Sequence, residues 1–488
     1  MVKIPLNVIE IGKKLQENNL EAYLVGGCVR DLLLGNSPKD WDVATNALPR
    51  KTQKIFPNSF YENKFGTVAI KPKDEKNSIV EVTTYRKDGD YKDYRHPQKV
   101  EFSQKIQQDL KRRDFTINAM AVNLENISSK PSLKEIMENL KDPFGGRIDL
   151  NNKTVRCVGK AEERFKEDAL RLIRAIRFCV ILGFSLEKKT QEGLKKAANL
   201  LEFVSKERIR DEFIKIIKSP RPQEGIELLR KNNLLSHVIP ELEYGVGINQ
   251  NLHHIYTVYD HSLLALKNCP SKKLSVRLAA LLHDIAKPQT KRGRGKNSTF
   301  YNHDLVGAGV VRKILKRLRF SSKTIEKVVL LVKNHMFYYE VDNVSESSVR
   351  RLLKKVGRKN IKDLIDLRIA DRLGSGCPKA KPYKLRHLEY LIEKVSKDPI
   401  SVKMLRVDGD LLKTKAKIKP GPKMGAILDV LLSEVIEDPG RNNQQYLMDR
   451  AKELKKENLE KISQKAKEKI EDKKIEEDRV LKRKFWVK

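Results

Sequence analysis

The sequence predicts an α+β protein, in which an N-terminal α/β head with a mixed sheet is followed by an all-helical remainder. Strand-like runs fall within about the first 150 residues, each bounded by Gly, Asn, Asp or Pro, at residues 21–25, 67–71 and 79–84. From about Ala161 onward, apolar residues recur at helical spacing instead. A chain of 488 residues has room for roughly two to four domains, and this one shows no internal repeat.

The charge of the chain points to a polyanionic partner. There are 100 Lys and Arg against 64 Asp and Glu, a formal net charge of +36. Such a field concentrates nucleic acid or an anionic membrane at the surface, although a generally basic proteome would give a similar value. No apolar run approaches the ~18 residues that cross a bilayer, and the N-terminus carries charges where a signal peptide needs an apolar block. We therefore expect nucleic acid and no membrane.

The cysteines suggest neither a disulfide framework nor a zinc ribbon. They are odd in number, widely spaced and without a CxxC pair. This pattern favours a reducing, cytoplasmic location. The five positions are Cys28, Cys157, Cys179, Cys269 and Cys377.

The densest chemistry lies in residues 24–45, LVGGCVRDLLLGNSPKDWDVAT. Gly26 and Gly27 follow a strand and precede an apolar-patterned run, so backbone N–H groups there can approach a phosphate. Asp40 and Asp42 are two apart and would share one face of a strand. Two carboxylates that converge require a cation between them, and hard oxygen ligands suit Mg²⁺. An isolated DxD is more often a solvated turn.

Further candidate site residues follow this DxD motif along the chain. Glu81, in the strand-like IVEVTTYR, offers a third carboxylate on a neighbouring strand. Arg112 and Arg113 can neutralise phosphate oxygens bidentately. Asp114, beside them, can accept a hydrogen bond from a ribose hydroxyl. Together these residues predict a site that binds a nucleoside triphosphate and a metal.

A series of ordered motifs between roughly residues 20 and 215 resembles class II tRNA nucleotidyltransferases and bacterial poly(A) polymerases. Tyr94 departs from that family, which often has Gly at this position. The motifs are GGCVRDLLLG, DWDVAT, FGTV, EVTTYR, RRDFTINAMA, DPFGGRIDL, VRCVGKAEERFKEDALRLIRAIRF and SKERIRDEF.

The resemblance implies nucleotidyl transfer to an RNA 3′ end. The DxD carboxylates, with Glu81 assisting, would be catalytic and hold two Mg²⁺ ions. The triphosphate would be cradled by Gly26, Gly27 and Arg30. The loop from Arg86 to Pro97 would govern the switch from C to A addition.

The resemblance also implies a protein template for the base. Asp168 and Arg171, in the EDxxR motif, stand at i and i+3 of a predicted helix. Cytosine and adenine both present an exocyclic amine beside a ring nitrogen, which such a pair can match, whereas uracil and guanine present the opposite order. The alternative is an ordinary surface ion pair. A motif that would brace this helix comprises Ser205, Glu207, Arg208 and Glu212.

Six of the nine histidines lie between His253 and His335, within helical apolar stripes. A lone histidine in such a stripe is usually a core residue, but the adjacent pair His283 and Asp284 resembles an HD phosphohydrolase domain. The resemblance predicts a divalent-metal site, with a second metal possible at His303 and His335. The predicted ligands of the first metal are His261, His283, Asp284 and Asp371.

The C-terminal region contains one Gly/Pro-rich turn, IKPGPKMG, at residues 418–425. Lys419 and Lys423 in this turn suit an RNA backbone, although a plain interhelical turn explains the sequence equally well. The Lys/Glu-rich segment that follows has poor apolar periodicity, which predicts a solvated or partly disordered helix.

These features divide the chain into a catalytic head (1–145), a helical neck and body (146–250), an HD domain (251–395) and a basic tRNA-binding tail (396–488). The predicted function is addition of CMP and AMP from CTP and ATP to the tRNA 3′ end. Poly(A), CC-only or A-only addition shares the same motifs. From another class, an HD phosphohydrolase with an RNA-binding N-terminal part is the alternative, and the oligomeric state stays open.

Overall fold

The computed structural model describes the chain except residues 1–2, 62–65, 72–78, 90–93, 95–99, 251–254, 294, 342, 397–400, 459 and 488. His253 and most of the loop from Arg86 to Pro97 therefore lie outside the described residues. Two compact units are formed, one by Met1–His335 with Asp366–Cys377 and the other by Met336–Ile365 with Pro378–Lys488.

The N-terminal part of the first unit alternates strands with short helices. Its elements are α1 (Leu6–Glu17), β1 (Tyr23–Val25), α2 (Gly27–Leu33), β2 (Asp42–Thr45), α3 (Pro49–Ile55), β3 (Ser59–Tyr61), β4 (Thr67–Ile70), β5 (Val80–Thr84), β6 (Arg86–Asp88), β7 (Val100–Phe102), α4 (Ile106–Lys111), β8 (Ala121–Asn123), α5 (Leu133–Glu138), β9 (Leu140–Lys141), α6 (Gly146–Asn151) and β10 (Thr154–Val155).

Seven of these strands form one mixed sheet in the order β3-β4-β5-β2-β1-β8-β9. β2 pairs with β5 in parallel, and the other recorded neighbours in this sheet are antiparallel. The three predicted strands are present as β1, β4 and β5. In β5, Val80 and Val82 are buried while Glu81 between them is exposed, because successive side chains point to opposite faces. The predicted mixed-sheet head is confirmed.

Helices make up most of the rest of the first unit. They and one short strand are α7 (Ala161–Glu167), α8 (Arg171–Leu182), β11 (Ser185–Leu186), α9 (Lys188–Lys196), α10 (Lys206–Ile217), α11 (Pro222–Lys231), α12 (Leu235–Val238), α13 (Pro240–Glu243), α14 (Val258–Lys267), α15 (Leu274–Leu282), α16 (Lys287–Thr290), α17 (His303–Arg317) and α18 (Ser322–Lys333).

The second unit is helical in its described part. Its helices are α19 (Glu346–Val356), α20 (Arg358–Gly374, whose last residues belong to the first unit), α21 (Tyr383–Ser396), α22 (Gly409–Thr414), α23 (Pro422–Glu437), α24 (Gln444–Leu454) and α25 (Glu460–Phe485).

The C-terminal helix α25 is packed rather than merely solvated. Ala466 and Ile470 are buried in a core that includes Ile427 and Leu431 of α23. The expectation of a solvated or partly disordered tail is therefore wrong for the inner face of this helix. Widely spaced small and apolar residues suffice to bury it, and they are too few to register as a helical stripe. Among the described residues, no helix is long and apolar enough to span a membrane.

Candidate functional site

Gly26 lies between β1 and α2, where a backbone bend meets charges of both signs. Its φ of +80° is a conformation that favours glycine. A Cβ atom there would lie 2.8 Å from Nη1 of Arg113 and 3.7 Å from Oδ2 of Asp42. The conformation at Gly26 thus favours glycine, and the Arg113 and Asp42 side chains approach it closely. The predicted glycine turn, guanidinium and carboxylate are neighbours.

Two of the three predicted carboxylates, Asp42 and Glu81, lie on neighbouring strands at the start of β2. Asp42 is the first residue of this strand, and its Cα partner on β5 is Glu81. Asp40 lies in an exposed bend before β2, so the expectation that a strand carries both aspartates is wrong for Asp40. Burial raises the pKa of Asp42; the Arg113 guanidinium opposes this shift and the Asp40 charge adds to it. Carboxylate oxygens suit a divalent cation such as Mg²⁺, but among the described residues Asp40, Asp42 and Glu81 do not form a group whose ligand atoms all lie within 4.8 Å of one another.

A buried aspartate that the sequence analysis missed holds the two predicted phosphate-binding arginines. Nη2 of Arg112 lies 2.7 Å from Oδ1 of Asp109, and Nη2 of Arg113 lies 3.0 Å from Oδ2. Burial would raise the pKa of Asp109, but the two guanidinium groups outweigh it and lower the pKa. The i,i+3 and i,i+4 spacing in DLKRR was the available signal. Asp109 fixes the two arginines as a pair.

Arg30, predicted to cradle the triphosphate, is held at both ends of its guanidinium. Its Nε and Nη2 donate to Oδ1 of Asp31 at 2.9 and 2.7 Å. Its Nη1 donates to Oδ1 of Asn118 at 2.8 Å. Gly27 lies close by, since a Cβ on it would be 3.6 Å from Nη2 of Arg30. The arginine is oriented before any ligand arrives.

Asp114, predicted to bind a ribose hydroxyl, already accepts four hydrogen bonds. Nε and Nη2 of Arg174 donate to Oδ2 at 2.8 and 2.5 Å. The backbone N–H of Phe115 and the amide of Asn118 donate to Oδ1 at 2.9 and 3.3 Å. A carboxylate has about four acceptor sites, so this geometry favours a structural role. Arg174, which ties α8 to the head, was not singled out from the sequence.

The predicted base-selecting pair, Asp168 and Arg171, lies at a break between two helices. The predicted single helix ends at Glu167 as α7, Asp168 is extended (φ −140°, ψ 104°), and α8 begins at Arg171. The expected i,i+3 pairing on one helix is therefore wrong. Instead, Nη2 of Arg208 lies 2.9 Å from Asp168, and Arg171 lies 2.6 Å from Glu167. Arg171 also donates to the carbonyl of Arg112 at 3.0 Å, which joins it to the phosphate-binding segment.

Helix α10 contacts this region through two members of the predicted bracing motif. Arg208 holds Asp168, and Glu212 forms a buried ion pair with Arg177 of α8 at 2.8 Å. Ser205 stands at the N-cap of α10 without a side-chain capping bond. These contacts join α10 to Asp168 and to α8.

Tyr94, the residue that departs from the family pattern, has a φ of +53°. Such a conformation suits Gly, which explains why the related proteins often carry it there. The Tyr94 carbonyl accepts a hydrogen bond from the N–H of Ala169 at 3.2 Å, and its ring lies 4.9 Å from that of Phe203. Tyr94 therefore contacts the helix break that carries Asp168.

The predicted HD residues form a second, buried cluster in the first unit. Candidate ligand atoms of His261, His283 and Asp371 lie within 4.8 Å of one another, and so do those of His283, Asp284 and His335. Nε2 of His261 lies 3.2 Å from Asp284 and 3.4 Å from Asp371. All five side chains are buried.

His303 joins the same cluster, with its Nε2 3.3 Å from Asp284 and 3.3 Å from Nε2 of His335. Three of the rings are oriented by backbone carbonyls: Nδ1 of His283, His303 and His335 lies 3.0, 2.7 and 2.7 Å from a carbonyl oxygen. A ring that donates through Nδ1 leaves the Nε2 lone pair for a metal. Nδ1 as donor and Nε2 facing the carboxylates is the arrangement that a metal centre requires.

The electrostatics of this cluster also fit a cation. Burial lowers the pKa of His283, but the charges and hydrogen bonds of Asp284 and Asp371 outweigh it and raise that pKa to about 10. The carboxylates therefore stabilise a positive charge on the buried His283 ring. A divalent ion bound between these side chains would supply that positive charge instead of the proton. Lys287, which the sequence analysis missed, lies 2.7 Å from Asp284 and donates to Gln250 at 2.6 Å.

Lys419 and Lys423 are both exposed in the second unit. Lys419 lies in the predicted turn, and Lys423 is the second residue of α23. Their role in binding RNA stays a prediction.

Comparisons with known proteins identify three segments of the chain. Residues 22–156 match the poly A polymerase head domain, 183–245 the "Probable RNA and SrmB- binding site of polymerase A", and 251–375 the HD domain. Nucleotidyltransferase and HD families generally use divalent metals.

Similar proteins are CCA-adding enzymes. The CCA-adding enzyme of Listeria monocytogenes serotype 4b is 42% identical to this chain over 227 residues. The match covers 46% of this chain and 54% of the relative, so it spans about half the length of that protein. The structure of the Bacillus stearothermophilus enzyme in complex with CTP shares the fold, with a TM-score of 0.57, 24% identity and coverage of 92% and 98%. The structure of the Thermotoga maritima CCA-adding enzyme complexed with a tRNA gives a TM-score of 0.51 at 21% identity, and the match covers 91% of this chain and 94% of that one.

Proposed function

Because this chain belongs to the family of tRNA nucleotidyltransferases and poly(A) polymerases, we propose that it adds CMP and AMP to the 3′ end of tRNA, from CTP and ATP. The observation that carries this proposal is the meeting of Asp42 and Arg113 at Gly26, with Glu81 in register beside Asp42. A module that only bound RNA would gain nothing from carboxylates placed beside a phosphate-binding turn. This argues against a pure RNA-binding role for the head.

Within the site, the chain's own residues position the reactants. Asp40 and Asp42, with Glu81, would hold Mg²⁺, which when bound lowers the pKa of the RNA 3′-hydroxyl and stabilises the leaving pyrophosphate. Gly26 and Gly27 leave room for the triphosphate to approach the backbone. The remaining chemistry is positioning and charge neutralisation for an in-line displacement.

The arginines supply that neutralisation at low entropic cost. Asp109 already holds Arg112 and Arg113 in place, so little side-chain freedom is lost when they bind phosphate oxygens. At the helix break, Asp168 accepts from the exocyclic amine of the base and Arg171 donates to the ring nitrogen. To do so, Asp168 must share or release Arg208, and Arg171 must release Glu167.

One assay tests this function. Purified protein is given tRNA that ends at the discriminator base, at the first C or at CC, with each nucleoside triphosphate offered separately. Addition of C, C and then A supports the proposal. Addition of A alone, of CC alone, or of long A tracts would replace it by the corresponding relative, and no addition to any RNA would refute it.

A second activity is proposed for the HD cluster, a metal-dependent phosphohydrolase. The observation that favours it is the convergence of four imidazole Nε2 atoms on the carboxylate of Asp284. Release of inorganic phosphate from phosphomonoesters, or opening of 2′,3′-cyclic phosphates, tests it. The cytoplasmic location stays a prediction, in keeping with five cysteines that are all free thiols.

A further inference from the structure

Trp486 projects from the second unit with 80% of its surface exposed, the largest fraction among the big apolar side chains of the described residues. It is not loose. The backbone N–H of Trp486 donates to the carbonyl of Arg483 at 3.1 Å, and the backbone N–H of Val487 donates to the carbonyl of Lys482 at 2.9 Å. Val487 is itself buried. The backbone around Trp486 is thus held in place, while its indole ring lies in water.

Arg386 joins Trp486 to a second aromatic ring. Its Nη1 donates to the carbonyl of Trp486 at 3.0 Å, and its guanidinium carbon lies 5.8 Å from the ring centroid of Tyr383. Tyr383 is 38% exposed, and Arg483, which precedes Trp486 in the sequence, is also exposed. We call Tyr383, Arg386, Arg483 and Trp486 the Trp486 surface. It combines two aromatic rings with two guanidinium groups.

The charge of this surface calls for an anionic partner. The neighbouring lysines are occupied, Lys484 by Glu393 at 2.7 Å and Lys482 by Asp478 at 3.3 Å. In the described part of the chain, no ion pair is recorded for Arg386 or Arg483. The two guanidinium charges are therefore left over for a ligand.

We infer that the Trp486 surface binds unpaired nucleotides of RNA. Bases stack on Trp486 and Tyr383, and the two arginines neutralise the adjoining phosphates. A duplex does not fit this chemistry, since its base faces are covered by their neighbours. The identity of the partner as RNA rests on the proposed function, whereas the stacking geometry does not.

Tryptophan emission tests the inference directly, because the chain has two tryptophans, Trp41 and Trp486. In full-length protein with Trp41→Phe, Trp486 is the sole reporter. Titration with a short oligo(A) should quench its emission, and a blunt-ended RNA duplex without a loop should quench it much less at the same phosphate concentration. Trp486→Ala should weaken oligo(A) binding, followed by anisotropy of a labelled oligonucleotide, by about 5-fold to 150-fold. Trp486→Phe should retain part of the affinity.

Val480→Ala is the matched control, because Val480 is 60% exposed on the same helix, and it should bind as the parent does. Unchanged emission of Trp486 at saturating oligo(A), or equal quenching by the blunt-ended duplex, would overturn the inference. A concentration-dependent emission change without RNA would also overturn it, by showing that a second copy covers the ring. Nucleotide addition is measured on the parent protein, because Trp41 lies between Asp40 and Asp42. If the parent adds nucleotides while Trp486 stays silent in the Trp41→Phe protein, only this inference fails. If Trp486 responds and the parent adds no nucleotide, only the proposed function fails.

Discussion

Asp42 and Glu81 are register partners on β2 and β5, which form the one parallel pair recorded in the described seven-stranded sheet. Register partners in a parallel pair project from the same face of the sheet. Residues 39 positions apart in sequence are thereby brought side by side. The topology places the third carboxylate beside the DxD.

Loss of either carboxylate should remove the chemistry and spare the binding of RNA. We expect Asp42→Asn and Glu81→Gln to lower the rate of nucleotide addition by at least about 100-fold, because they remove oxygen ligands without changing side-chain size. The affinity for tRNA, measured by anisotropy, should change little. Glu125→Gln, an exposed acid in the head, is the control and should be as active as the parent. A Glu81→Gln protein of normal rate would remove Glu81 from the site.

The arginine pair should lose its order without Asp109. Asp109→Asn removes the charge that both guanidinium groups share, so we expect a higher KM for CTP and ATP. Unfolding free energy should also fall by about 3–5 kcal/mol, since the arginines are left without their partner.

Asp149→Asn is the matched control for that variant. Asp149 is also buried and lies 2.9 Å from Arg156, so its loss should destabilise the fold without the same increase in KM. Thermal unfolding and steady-state kinetics on both variants separate the two effects. An Asp109→Asn protein with an unchanged KM would show that the pair needs no anchor.

Asp114 should contribute stability that depends on pH. Although burial would raise its pKa, Arg174, Arg171 and the hydrogen bonds from Arg174 and Phe115 lower it to about 2, from 3.8. A carboxyl whose pKa is depressed by folding stabilises fully above its unfolded value, and this stability is lost as the pH falls through the folded value. The difference in unfolding free energy between the parent and Asp114→Asn should thus be constant above about pH 5 and shrink between about pH 4 and 2. A difference that did not change with pH would contradict the ion pair.

Selectivity for the base should depend on Arg208 as well as on Asp168. Asp168→Ala should slow addition of C and A and raise the relative use of UTP and GTP, because an unmatched buried group costs about 1–3 kcal/mol. Arg208→Ala should misplace Asp168, which it contacts at 2.9 Å, and shift the same ratio by less. Arg210→Ala, on the same helix but paired with Asp211, should leave the ratio at the parental value. If Asp168→Ala kept the parental preference, the base-reading role would be wrong.

The sequence predicted the strands of the head well, because each is short and bounded by turn residues. It failed at Asp168, since the apolar stripe runs on through a backbone break, and the tertiary contacts with Arg208 and Tyr94 that stabilise this break cannot be read from the stripe. Arg174 was missed because its partner Asp114 lies 60 residues away in the sequence. Asp109 was missed because a charged residue near two arginines gives no sign in the sequence that it is buried. The HD cluster could be predicted because an adjacent His–Asp pair is a rare local pattern, whereas Lys287 looked like any surface lysine.

The last prediction separates the two clusters. His283→Ala should empty the HD cluster of metal, because His283 belongs to both candidate ligand groups. We expect the metal content of purified protein, measured by mass spectrometry, to fall by at least about 10-fold, along with any phosphohydrolase activity. Nucleotide addition should persist, since the carboxylates proposed for it, Asp42 and Glu81, lie on β2 and β5 of the head and are not part of the HD cluster. His237→Ala, a histidine that contacts Glu202 outside the cluster, should keep its metal. Loss of both activities in a folded His283→Ala protein would show that the two sites depend on each other.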